Sequence, residues 1–533
     1  VGLLQPGETC WRTARASRAA VILDTQDYFR AAKAAMVKAT RSIYLLGWAF
    51  DPLTQLIPDP YGAGPVEDRA GDFLKDLACS RPGLDVRILI WKSALPVAAS
   101  QHFFPHRARA CFKDTPVSFM LDASVPMGAC HHQKVLVIDD VLAFCGGGDV
   151  STDRWDSTEH LDGDQRRHMP TGEVHDPRHE VMMMVEGRAA AMLGELCRHR
   201  WSRARGHDLP PRDETAEAAT ASPWPDFVEP TFHDVEVGLA RTEPAWRKRP
   251  EVRESEALHL KAIAAARRHI YLENQYVASP AMGEALAARL GEPDGPEVLV
   301  VSTEHSPSWF DRMTMDKTRS ALIRRLQDAD KYGRFHAFCP ETDAGKTIIV
   351  HAKCSIIDDE MLRAGSTNLN NRSTGFDTEA DIAIEAAPGP AGDATRAAIA
   401  RHRARTIAHF LAKSPDEVEA AVAREGSLAG AIAALDDGPL RRLRRLGPVA
   451  IGPLAAFIAA HHLGDPLTPG DSWRPWRRRQ ALRQNLLELA PQLADAPLLT
   501  DRKAGVGDAP RAGEHRTAGP KPNFKGEDFI SSD

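Results

Sequence analysis

Apolar and polar residues alternate along this chain with two periods. Asp27–Lys38 carries apolar residues at helical spacing and leads into Ser42–Trp48 (SIYLLGW), a short β-rich run. Leu258–Arg267 followed by His269–Val277 (HIYLENQYV) repeats that order later in the chain. Val86–Trp91, Val117–Leu121 and Val298–Ser302 are further short apolar runs set between helical patterns, which predicts a mixed α/β architecture. Polar and Pro-rich stretches punctuate it. His207–Asp226 reads as an exposed connection, placing a boundary near residue 230. Ala387–Gly392 (APGPAG) precedes a helix running to about Lys413, and Ser414 opens a further helix as its N-cap. The pattern predicts lobes over 1–230 and 231–413, a helical C-terminal extension over 414–500 and a disordered tail over 501–533. Leu446–Gly464 has the length of a membrane span, but Gly447, Pro448, Gly452 and Pro453 interrupt it, so a buried or interfacial segment is expected.

The search for repeats adds chemistry to this outline. Segments 132–149 (HQKVLVIDDVLAFCGGGD) and 351–368 (HAKCSIIDDEMLRAGSTN) both read H-x-K-x4-D-x6-G-[GS]-x-[DN]. They start 219 residues apart, about the size of a lobe, as a duplicated unit would. If the motif lies on a strand, His132 projects with Lys134, and His351 with Lys353. Asp139 and Asp358 then face away and serve as structural partners. The turn that follows returns Gly146, Gly147 and Asp149, or Gly365, Ser366 and Asn368, toward the same edge, where small residues would let backbone N–H groups approach an anion. Two imidazoles, two ammonium groups, an amide, a hydroxyl and one carboxylate suit a phosphodiester. Lysine charges and the Asn368 and Ser366 donors would stabilise the nonbridging oxygens. One imidazole attacks phosphorus while the other, protonated, serves the leaving oxygen. The ammonium pair supplies the positive charge, so no metal and no cofactor is expected.

Composition limits the alternatives. The chain has 533 residues, 67 Lys and Arg against 73 Asp and Glu, and a net charge of −6, so no global positive field draws it to nucleic acid. Its 8 cysteines lie scattered without a metal-ligand rhythm or a disulfide framework. No signal peptide is visible near the N-terminus, although the chain starts at Val1 and export is left open.

These residues resemble the phospholipase D superfamily, whose hallmark is the duplicated His-Lys-Asp motif. Residues 132–156, with Gly-Gly-x-Asp and the Arg154-Trp155-Asp156 run, are similar to the first active-site segment of the phosphatidylcholine-hydrolysing members. IYLENQYV (270–277) is similar to an element that distinguishes them, and residues 351–379 to their second segment, through Asn370, Arg372, Ser373, Asp377 and Glu379. The likeness covers roughly residues 20–410. It implies two pseudo-twofold-related α-β-α sandwich lobes sharing one site, with a small helical C-terminal region outside it. It also implies a phosphohistidine intermediate on His132, with His351 as general acid and then base, and with Lys134, Lys353 and Asn368 on the phosphoryl oxygens. Glu379 and, by parallel, Glu180 match the carboxylate that orients a motif histidine, and Asp149 is expected to contact Lys134 or a substrate hydroxyl or amine. The expected partners are a phospholipid at a membrane surface and a water or alcohol acceptor. A bacterial protein, cytoplasmic or peripheral to the membrane, is the simplest fit to a chain with no calcium-dependent lipid-binding or phosphoinositide-reading module before Ile43 and no N-terminal membrane helices.

Two other readings compete. A nuclease of the same superfamily would want a basic groove, and a noncatalytic membrane-binding effector would not need both intact motifs. The basic clusters Arg441–Arg445 and Arg477–Arg479, with Trp473 and Trp476 nearby, suggest either a solvated helix face or a dock on anionic lipid.

Overall fold

A computed structural model describes residues 2–58, 68–93, 104–206, 208–209, 211–438, 442–449 and 453–471. Its strands in the first half are β1 (Arg12–Leu23), β2 (Ser42–Gly47), β3 (Asp85–Trp91), β4 (Ser118–Asp122), β5 (Val135–Ile138), β6 (Leu142–Gly146), β7 (Arg178–His179) and β8 (Val181–Gly187). The second half has β9 (Phe232–Glu243), β10 (Val252–Arg253), β11 (His269–Asn274), β12 (Glu297–Val301), β13 (Phe335–Glu341), β14 (Ile349–Val350), β15 (Lys353–Ile357), β16 (Met361–Gly365), β17 (Glu379–Glu385) and β18 (Arg442–Arg445). All but β7 and β14 join one sheet, with the order β18-β13-β12-β11-β15-β16-β17-β9-β1-β8-β6-β5-β2-β3-β4 and β10 beside β9. Read outward from the central antiparallel β1–β9 pair, the two halves match in strand order and sense through seven strands each, four antiparallel pairs followed by two parallel ones, and β18 then extends the second half alone. The duplication seen in two short motifs therefore extends to seven strands of each half.

The inner strands are buried on both faces. Val135 and Val137 belong to the core packed under the helix Arg188–Arg205, while Leu136 and Ile138 belong to the core under the helices Thr25–Val37 and Ala70–Ser80. Period-two alternation between two apolar layers is what a sheet covered by helices on both sides requires. The first of these cores crosses the β1–β9 seam and takes in Ile356, Leu362, Ile382 and Ile384 from the other half together with Ile407 and Phe410 of the helix Asp393–Leu411. One continuous apolar layer thus holds the halves together.

The C-terminal extension differs from its expected all-helical character. The helix Pro415–Glu425 starts at Ser414 with a capping box to Glu417, and Leu428–Leu435 follows. Arg442–Arg445 is then strand β18, paired antiparallel with β13, and not a helix face. Leu443 is buried, and Arg444 bonds Glu304 at 2.6 Å and also Glu341, so the alternation of this segment is that of an edge strand. Within Leu446–Gly464 the helix is Pro453–Ala460, and no helix among the described residues is long and apolar enough to cross a membrane. Arg441, Trp473, Trp476, Arg477–Arg479 and the tail over 501–533 lie outside the described residues.

Candidate active site

Both motifs are built in the same way. His132 and Lys134 come just before β5, and His351 lies two residues before β15, so the histidines sit on the approach to a strand and not within it. Each strand ends in an Asp-Asp turn with both residues at positive φ: 56° and 58° at Asp139 and Asp140, 55° and 60° at Asp358 and Asp359. Such a turn matches the twist of a tight hairpin. The side chain of its first aspartate accepts backbone N–H groups at the start of the neighbouring strand. Asp139 takes those of Thr40 (2.8 Å), Arg41 (2.7 Å) and Ser42 (2.7 Å). Asp358 takes those of Arg267 (2.6 Å), Arg268 (2.7 Å) and His269 (2.8 Å). The second aspartate pairs with a helix arginine, Asp140 with Arg198 and Asp359 with Arg403. These arginines form the part of the repeat that motif spacing does not reveal, because they lie far along the chain from the aspartates they meet.

The two motifs meet across the seam through their backbones. His132 N–H donates to Thr378 O at 2.9 Å, and His351 N–H donates to His179 O at 2.8 Å. β14 runs parallel to β7 just before that second contact. Each motif histidine is therefore registered one residue away from a glutamate of the opposite half. The consequence is a crossed arrangement: His132 Nδ1 lies 3.0 Å from both carboxylate oxygens of Glu379, and His351 Nδ1 lies 2.5 Å from Glu180 Oε2. With Nδ1 facing the carboxylate, Nε2 is left to face the site.

The remaining residues close around these pairs. Lys134 Nζ donates to His132 O at 2.8 Å and lies 3.3 Å from Asp149 Oδ2, whose other oxygen accepts from the N–H of Trp48 at 2.9 Å. Lys353 Nζ donates to His351 O at 2.5 Å and is fully buried. Asn368 is buried, and its Oδ1 has no hydrogen-bond donor. Arg372 pairs with Asp377 at 2.8 Å, and Asp377 accepts the N–H of Cys130 at 2.7 Å, tying the second segment to the residues just before His132.

Two expectations are corrected. Ser366, expected to donate to phosphoryl oxygens, instead donates its hydroxyl to Glu379 Oε2 at 2.5 Å and accepts from Ala380 N–H, so it positions a carboxylate. Gly146 and Gly147, after the first motif, do not present free N–H groups to an anion, since Gly146 N–H goes to Lys134 O and Gly147 N–H to Val181 O. Their small size serves close packing. A Cβ on Gly147 would lie 2.0 Å from Glu180 Oε1 and 3.0 Å from His351 O.

Burial sets the electrostatics. Desolvation, helped by Lys134 and Lys353, holds His132 well below the usual imidazole range. Desolvation does the same to His351, helped by Lys353, Arg154 and Arg178. Burial pushes the carboxyl groups the other way, Glu180 to about 7 and Glu379 to about 8, and lowers Lys353 to about 7. Lysines of both motifs act on both histidines, as they do only if the two motifs share one site.

Comparison with known proteins relates the chain to phospholipase D proteins. Residues 259–398 match the family described as "Cardiolipin synthase, PLD-like domain". The chain is 23% identical over 455 residues to Phospholipase D1 of Saccharomyces cerevisiae, an alignment covering 68% of this chain and 26% of that protein. It is 24% identical over 483 residues to Phospholipase D alpha 1 of Ricinus communis, covering 66% and 59%. The chain thus spans about a quarter to three-fifths of the length of these curated relatives. Among solved structures, phosphatidylserine synthase of Haemophilus influenzae has a TM-score of 0.51 at 13% identity, covering 80% of this chain and 96% of that one, a likeness of fold.

Proposed function

The chain belongs to the phospholipase D superfamily, and from that premise we propose that it cleaves the headgroup phosphodiester of a glycerophospholipid through a phosphohistidine, passing the phosphatidyl group to water or an alcohol. His132 Nε2 attacks phosphorus as the bond to the headgroup oxygen breaks, and His351 gives that oxygen its proton. His351 then takes a proton from the incoming water or alcohol, whose oxygen displaces His132 and yields phosphatidic acid or an exchanged lipid. Lys134, Lys353 and Asn368 receive the nonbridging oxygens, and the ammonium charge concentrates where negative charge develops. Asp149 holds Lys134.

The observation that carries this reading is the crossed pair of imidazole–carboxylate contacts, which turns both histidines into one phosphoryl-transfer unit. Phosphatidylcholine vesicles offered with ethanol test it. Release of choline together with phosphatidylethanol, and its loss in both His132→Asn and His351→Asn, is the expected result. Full turnover in either variant, or cleavage of nucleic acid with none of lipid, refutes it.

A further inference from the structure

Behind the catalytic seam lies a second, largely buried group of ring nitrogens that the phosphoryl chemistry does not use. Asp24, His160, His179 and His409 each bring one donor atom into a cluster whose atoms all lie within 4.8 Å of one another. His160 Nε2 is 2.9 Å from His409 Nε2, and Asp24 Oδ2 is 3.4 Å from His409 Nε2 and 3.7 Å from His160 Nε2. A tetrahedral ion with bonds of roughly 2.0–2.1 Å spaces its ligand atoms about 3.3 Å apart, close to the mean of this triangle. The imidazole rings are tilted against one another, His160 to His409 at 69° and His179 to His409 at 38°, so that nitrogens converge and faces do not stack.

Protons alone leave this cluster incomplete. Asp24 is buried, and its Oδ2 has no hydrogen-bond donor. His160 Nδ1 faces Asp156 Oδ2 at 2.8 Å, which commits the ring proton there and leaves Nε2 a lone pair. If His409 supplies the proton for the 2.9 Å contact, that proton points at His160 and Asp24 Oδ2 stays unsatisfied. A cation at the centre satisfies all three atoms together. The outer contacts suit that role. Asp156 is itself held by Arg167 at 3.0 Å and by the N–H of Arg178 at 2.7 Å. His179 lies between two carboxylates, Nδ1 2.9 Å from Asp24 Oδ1 and Nε2 3.1 Å from Glu273 Oε2, and Glu273 Oε1 accepts the Tyr271 hydroxyl at 2.6 Å. Carboxylates behind ligating imidazoles are the usual means of fixing a metal-binding tautomer. Asp24 also sits at φ 63° and ψ 158°, a backbone region that non-glycine residues occupy only when their surroundings over-determine it.

We infer that Asp24 Oδ2, His160 Nε2 and His409 Nε2 form a structural site for a divalent transition-metal ion of the zinc class, with His179, whose Nδ1 lies 2.9 Å from Asp24 Oδ1, holding Asp24 in place beside them. The nitrogen-rich donor set with one carboxylate selects such an ion over calcium or magnesium. Its place explains its use. Asp24 Oδ1 accepts the N–H of Glu180 at 3.0 Å, and the carbonyl of His179 holds the N–H of His351, so the ion fixes the backbone on which the His351–Glu180 pair is built. It also fastens the helix Asp393–Leu411 to the first half of the chain through His409.

Elemental analysis of the whole purified chain after desalting tests the site without reference to activity. A single zinc-class ion per chain is expected, retained in His132→Asn and lost in His160→Gln and His409→Gln. Refolding the wild-type chain with cobalt should give visible d–d absorption without thiolate charge transfer, and this measurement stands even where the two histidine variants fail to fold. A wild-type chain that holds no stoichiometric ion after refolding with excess zinc, and melts at the same temperature with and without it, overturns the site. An ion that survives in soluble His160→Gln and His409→Gln proteins overturns it equally.

Discussion

At the scale of single residues, the two histidines have different environments although their motifs read alike. His132 keeps 15% of its side chain open to solvent, whereas His351 keeps 7% and lies among Lys353, Arg154 and Arg178. Removing either imidazole should cost at least the 10²–10⁴-fold, in order of magnitude, that a positioned acid or base supplies. Steady-state choline release from His132→Asn and His351→Asn measures it. Each imidazole titrates as a unit with its glutamate. In the proposed mechanism the His132–Glu379 pair must have lost a proton to attack, and the His351–Glu180 pair must keep one to protonate the leaving oxygen. With Glu180 raised to about 7 and Glu379 to about 8, both by burial, kcat/KM should rise with pH to a break near 7 and fall beyond one near 8. Glu180→Gln removes the group behind the lower break and moves it to more acid pH. Ser366→Ala removes a hydrogen bond that lowers the Glu379 carboxyl, so the upper break moves to more alkaline pH. A pH profile flat from 6 to 9, in round numbers, contradicts this assignment.

At the scale of elements, the motif aspartates and glycines explain why the repeat is longer than its reactive residues. Asp139 and Asp358 each satisfy three successive backbone N–H groups at the start of β2 and β11. Alanine there leaves buried or half-buried donors without partners, at about 1–3 kcal/mol for the lost contacts in each half. Denaturant unfolding of Asp139→Ala and Asp358→Ala should show that loss, and an unchanged midpoint in both would rule out the anchoring role. Gly147→Ala acts differently. Its Cβ would fall 2.0 Å from Glu180 Oε1, so Glu180 must leave His351. Turnover should fall far more than stability does, and a variant with wild-type kcat would show that Glu180 can hold His351 from another rotamer.

At the scale of the whole molecule, the seam does the assembling. Because His132 takes its carboxylate from β17 and His351 takes its own from the residue just before β8, neither half by itself pairs its motif histidine with a carboxylate. A double-mutant cycle detects this. Glu379→Gln should cost much less in the His132→Asn background than in the wild type, despite the 247 residues between them, because the two act as one unit. Full additivity in kcat/KM would separate them. The shared apolar layer across β1 and β9 packs residues of both halves into one core beside the site.

Much of this was legible in the sequence because it is local. Period-two runs placed the strands Ser42–Gly47, Asp85–Trp91 and Glu297–Val301 within a residue or two, and the repeated His-x-Lys spacing pointed to the chemistry. The residues that tertiary structure alone decided are those whose partners are remote. Nothing in the order of residues says that Glu379 serves His132 and Glu180 serves His351, that Ser366 spends its hydroxyl on a carboxylate, that Arg442–Arg445 extends the sheet, or that Asp24, His160, His179 and His409 converge. The reason is physical. Periodicity records which face of an element is buried, and a hydrogen bond across a seam leaves no period in the chain that makes it.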